Sequence, residues 1–88
     1  MARVEPEELG KLRWRCRRGL GELDVLLRRY VDEQFCGASA EHQAAFRALL
    51  DSQDPLLYAY CFGRLRPPTA ELAALIERIT VGGPAVDR

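Results

Sequence analysis

Few side chains in this 88-residue sequence can do covalent chemistry. They are three cysteines (Cys16, Cys36 and Cys61), a single histidine (His42), the acid pair Glu22 and Asp24, and a Gly19-Leu20-Gly21 step. Nucleophilic catalysis needs a Cys or Ser held against a base. His42 instead falls four residues before Phe46 on a helical pattern, the setting of a packed or surface histidine. A zinc site needs four well-spaced ligands, and there is no CxxC and only one His. Free thiols in a reducing compartment are the simpler reading of the cysteines. Glu22 and Asp24 are two residues apart, a spacing that points side chains away from each other on a helix. A GxG step cradles phosphate when it follows a strand, and no strand pattern precedes Gly19. The residues therefore argue against an enzyme and leave recognition chemistry.

That chemistry concentrates at one place. Lys11, Arg13, Arg15, Arg17 and Arg18 fall within eight residues with no acid among them, and Gly19, Gly21, Glu22 and Asp24 follow directly. From Asp32 to Tyr60 five acids face one base, Arg47. The chain thus has a basic end and an acidic middle, a dipole able to orient a partner. Twelve of the thirteen bases are arginine. Arginine suits planar, partly desolvated contacts, and a GC-rich genome yields the same bias.

The elements that must position these residues read as helices. Glu5-Pro6-Glu7-Glu8 is a start signal, with Pro early and acids in the first turn. Arg15, Arg17 and Arg18 make a basic last turn, and Gly19 reads as the stop. This predicts helix 1 at about 6–18. The spacing of Leu20, Leu23, Leu26, Leu27, Tyr30 and Val31 predicts helix 2 at about 20–36, ended by Gly37. Ser39 is read as the cap of a third helix at 40–52 burying Phe46, Leu49 and Leu50. Asp54 before Pro55 reads as the cap of a fourth at 55–63. Thr69 is read as capping a fifth at 70–80, with Leu72, Leu75, Ile76 and Ile79 on one face. Residues 81–88 read as a flexible tail. With no competing strand pattern and short connections, the expectation is all-α: one domain over residues 1–88, a compact bundle of five short helices.

Composition sets further bounds. The formal net charge is zero, where nucleic-acid binders carry a basic excess. A helix-turn-helix reading fails because the second helix carries an apolar stripe and the acids Glu22 and Asp24. The N-terminus has no apolar signal region, and no apolar run nears the ~20 residues of a membrane span. The expectation is a soluble, cytoplasmic protein.

The two glycines beside so much charge need a cause. Gly19 can end helix 1 in a left-handed conformation, and without a side chain it also lets another backbone approach. Gly21, if helical, costs about 1 kcal/mol relative to Ala. A bare patch rimmed by Arg17, Arg18 and Glu22 reads as a docking surface, with Arg18 pairing a partner's acid and Glu22 steadying Arg18. Ordinary solvated charges at helix ends fit the same residues, and Trp14 fits either core or interface.

The stretches WRCRRGLGELD and LLDSQDPLLYAYCFGRLRPPTAELAALIERI resemble the SdhE family of small bacterial flavinylation factors. Its RGxxE motif is matched by Arg18, Gly19 and Glu22, and its later DP pattern by Asp54, Pro55, Leu57, Tyr58 and Tyr60. The resemblance spans about residues 9–80. It implies a five-helix bundle and an assembly chaperone, not an enzyme. Such a chaperone binds the flavoprotein subunit of succinate dehydrogenase, with fumarate reductase as a second client. It promotes covalent attachment of FAD to that subunit and itself holds no cofactor tightly. The implied partner-binding residues are Arg18, Gly19 and Glu22, with Arg17, Trp14 and Asp24 beside them, on a monomer. Gly21 departs from the family, whose members often carry a bulkier or charged residue there. Two other readings stand beside this one: an antitoxin or cell-division regulator binding a toxin or cytoskeletal protein, and a weak flavin-handling enzyme.

Overall fold

A computed structural model describes residues 4–81. Among these residues the chain forms five α-helices and one 3-10 turn: α1 (Pro6–Arg15), α2 (Glu22–Glu33), the turn Phe35–Gly37, α3 (Ala40–Leu50), α4 (Asp54–Cys61) and α5 (Ala70–Val81). No strand occurs among the described residues. The all-α bundle is therefore as the sequence predicts. Its radius of gyration, 12.1 Å, matches the ~12 Å of a compact domain this long.

α5 lies against α2, α3 and α4, and α1 covers α2. The stripe Leu23, Leu27, Tyr30 and Val31 meets Leu75, Ile76 and Ile79 of α5 in one core with Phe46, Leu49, Leu50 and Leu57. Leu20, Leu26 and Leu72 pack at its edge, half-buried. Tyr30, Phe35 and Phe46 form an aromatic cluster at centroid distances of 4.7–6.5 Å, within the range of favourable ring pairing.

Several boundaries differ from the sequence expectation. Helix 1 stops at Arg15 instead of 18. The Arg17 N–H turns back three residues to the Trp14 carbonyl (3.1 Å), and the chain leaves the helix before Arg18. α2 starts at Glu22, because Gly21 takes a non-helical conformation, and it ends at Glu33 before the 3-10 turn. α3 and α4 each end two residues early, at Leu50 and Cys61, and α5 runs to Val81. The expected tail from residue 82 onward lies outside the described residues.

The caps are mixed. Ser39 Oγ accepts the His42 N–H (3.1 Å) and Thr69 Oγ1 accepts the Leu72 N–H (3.1 Å), both as expected. Asp54 is not a cap. Gln53 holds the cap position, and Asp54 is the first helical residue. α4 closes with the paired bonds of a Schellman turn, Arg64 N–H to Ala59 O (2.8 Å) and Gly63 N–H to Tyr60 O (3.5 Å).

Candidate functional site

The elbow between α1 and α2, residues 16–21, carries Arg17, Arg18 and Gly19, and the helix ends that flank it carry Trp14, Glu22 and Asp24. Two locks hold it. The first is Arg18, whose side chain is only 13% exposed. Its guanidinium donates to the Leu50 carbonyl, to the Ser52 carbonyl (3.2 Å) and to Asp54 Oδ1 (2.9 Å). Leu50 ends α3, so Arg18 places a cation where that helix exposes unpaired carbonyls and the negative end of its dipole. Asp54 opens α4. One side chain therefore ties the elbow to the α3–α4 junction across 36 residues of sequence.

The second lock is Asp24. From the first turn of α2 it reaches back, Oδ2 accepting the Gly19 N–H (2.9 Å) and Oδ1 the Leu20 N–H (3.2 Å). Partial burial alone raises the pKa of this carboxyl. The N–H groups of Gly19, Leu20 and Arg18 and the Arg18 charge outweigh that and hold it below its usual range.

Between the locks the backbone turns on two glycines. Gly19 has φ +75°. Gly21 has φ 56° and ψ −105°, and the Leu23 N–H reaches the Leu20 carbonyl (3.2 Å). That is the geometry of a type II′ turn with glycine at its first central position. A Cβ at either glycine would meet no atom within 4 Å. Backbone conformation, not crowding inside the chain, thus demands glycine. Gly21 also sits ahead of the helix instead of in its first turn, so it carries no helix-interior cost.

Outside the locks, the elbow faces solvent. Gly19, Glu22 and Arg17 are exposed, and Trp14 is 68% exposed. The Arg17 guanidinium lies 5.0 Å from the Trp14 ring centroid, a cation–π contact. This settles Trp14 as a surface residue and not core.

Two sequence expectations are corrected here. Arg18 is not a free cation, since its guanidinium already bonds two carbonyls and Asp54. Glu22 does not steady Arg18; its carboxylate makes no ion pair or hydrogen bond among the described residues, and Asp54 fills that role. The exposed cation is Arg17, next to the motif and not in it.

Sequence reasoning missed Asp54 as part of the elbow. The only signal was that its DP segment belongs to the resemblance alongside RGxxE; the structure joins the two by a direct ion pair. It also missed a groove of about 550 Å³ between α1 and α2, lined by Arg13, Arg17, Val25, Arg28 and Asp32 among others. There Arg13 (2.9 Å) and Arg28 (3.1 Å) both hold Asp32. Farther along α1, Glu8 makes a two-pronged pair with Arg47 of α3. His42 and the cysteines do not converge: Cys16 and Cys61 are buried, Cys36 is exposed, and no group of metal-ligating residues forms among the described residues. No described helix is long and apolar enough to cross a membrane.

A small helical module with a rigid inner clamp and an exposed Trp-Arg-Gly-Glu elbow defines a class built for contact with another macromolecule. The chain belongs to the family described as flavinator of succinate dehydrogenase, whose model matches residues 10–81. It is similar to proteins named FAD assembly factor SdhE. That of Coxiella burnetii is 41% identical over 75 residues, covering 85% of this chain and 92% of the relative. That of Idiomarina loihiensis is 44% identical over 67 residues, covering 76% and 74%. That of Pseudomonas aeruginosa is 42% identical over 76 residues, covering 86% and 90%. No solved structure matches the chain.

Proposed function

We propose that this chain is an assembly factor that binds the flavoprotein subunit of succinate dehydrogenase and promotes covalent attachment of FAD to it. Family membership across residues 10–81 is the observation that carries this reading. The elbow supplies a physical means. Arg18 and Asp24 fix the backbone from inside, so Gly19, Glu22, Arg17 and Trp14 are presented in one arrangement before a partner arrives. Preorganisation of that kind lowers the ordering cost of association.

The chain acts as a chaperone and contributes no reacting group; the bond forms within the flavoprotein. It holds no FAD tightly, in keeping with a sequence that lacks a dinucleotide fingerprint. It works as a cytoplasmic, single-domain monomer, with fumarate reductase as a second client. The names of its relatives lend nothing to an antitoxin or cell-division role.

The test is a reconstitution. Purified flavoprotein subunit lacking flavin is incubated with FAD, with and without this protein. Covalent flavin is read by the mass of the denatured subunit. Faster covalent addition with this protein, its own mass unchanged, supports the reading. Equal rates would refute it.

A further inference from the structure

We propose that the α1–α2 groove is the seat of a segment of the flavoprotein subunit that presents a carboxylate next to an apolar side chain. This deepens the proposed function and rests on it. The groove is continuous with the elbow, because Arg17 lines it while stacking on Trp14. Its apolar neighbours are exposed: Val25 lines it at 62% exposure, and Trp14, 68% exposed, stacks on Arg17 of its lining. These are the two most exposed large apolar residues among those described, where a helix surface ordinarily carries polar ones.

Charge specifies the occupant. Asp24 is answered by the Gly19 and Leu20 N–H groups, and Asp32 by Arg13 and Arg28. Arg17 is exposed and has no acidic partner among the described residues, whereas Arg29, also on the groove, is half-buried and donates from its guanidinium to the Ile79 carbonyl (3.3 Å). The exposed cation left over, Arg17, stands at the elbow end. The unpaired acid, Glu33, stands at the other end of α2, about 12 Å along the helix from Val25. An acidic group is thus drawn to Arg17 and repelled from Glu33, which fixes the direction in which the segment lies. Arginine and tryptophan together are the pair that interface hot spots favour.

Trp14 is the only tryptophan, so 5-fluorotryptophan labelling gives one fluorine resonance, on the ring that stacks with the groove's Arg17. Addition of unlabelled flavoprotein subunit is expected to shift or broaden it. Val25→Glu and Arg17→Glu are each expected to weaken binding at least about tenfold while leaving circular dichroism unchanged. Leu65→Glu, at an exposed apolar position off the groove, is expected to leave affinity unchanged. Absence of any binding by the wild-type chain in size exclusion would overturn the proposed function itself. Binding with the Trp14 resonance unmoved, or with Val25→Glu affinity unchanged, would overturn the groove alone. So would a resonance that shifts with concentration of the chain by itself, because a second copy would then occupy the groove.

Discussion

Replacing Arg18 by alanine tests the inner clamp. Three acceptors lose their donor: the Leu50 and Ser52 carbonyls and Asp54. A hydrogen bond involving a charged group contributes about 1.5–3 kcal/mol. Two opposing effects reduce the sum. Asp54 is 42% exposed and regains water. The buried guanidinium carries a desolvation cost of its own, since its Nε has no partner. A net loss of about 2–4 kcal/mol remains, out of a total of about 4–13 kcal/mol for a domain of this length. With a urea dependence of about 1 kcal/mol per molar, the midpoint should fall by roughly 2–4 M. Far-UV circular dichroism during urea titration reads this directly. Arg18→Lys keeps a cation that cannot reach three acceptors at once, and should recover about half of the loss. A loss below about 1 kcal/mol for Arg18→Ala would refute the reasoning and return Arg18 to the status of a solvated charge.

The remaining predictions concern burial and charge. Tyr30 is 1% exposed and its hydroxyl has no partner, so Tyr30→Phe should be neutral or stabilising by up to about 1 kcal/mol in the same titration; a loss above that would reveal a missed bond. Asp24, Asp32 and Glu8 all have lowered pKa values, Asp32 first through its bond from Arg13 and Glu8 first through its bond from Arg47. A depressed folded pKa stabilises above the ordinary carboxylate range and is lost as pH falls through the folded value, so the urea midpoint should stay level from pH 7 to 5 and drop below about pH 4. Asp32→Asn should flatten that drop, and an unchanged acid limb would show that its ion pairs contribute nothing. Burial pushes the Cys16 and Cys61 thiols up to about 11 while Cys36 is exposed. Alkylation of the native protein at pH 8 should therefore add one label by mass and denaturation the rest; rapid double labelling of native protein would contradict the core packing.

How far the sequence reached is clear at particular residues. Apolar periodicity located the five helices because a stripe such as Leu23, Leu27, Tyr30 and Val31 has one way to be buried. Ser39 and Thr69 were legible as caps because a cap acts within three residues. Asp54 was misread because two uses compete for its carboxylate. The local one, capping, is visible in an Asp-Pro step; the one adopted is an ion pair with a residue 36 positions away. Arg18 was misread for the same reason, since nothing in a run of arginines says which one turns inward. Gly21 needed the backbone itself, because a type II′ turn and a helix-interior glycine look alike in sequence. The Val25 groove stayed hidden because an apolar residue two positions after Leu23 reads as ordinary helix composition.

The central claim is that the exposed elbow drives flavinylation of a partner. The most direct measurement is in-gel flavin fluorescence of the denatured flavoprotein subunit, co-expressed with no factor, with this protein, or with its Gly19→Arg variant. The variant should remain folded, because a side chain at residue 19 meets open space and strained backbone there costs only about 1–2 kcal/mol. The account predicts a covalent flavin band with the wild-type protein and little with the other two. Equal bands in all three lanes, with circular dichroism showing the variant folded, would contradict it.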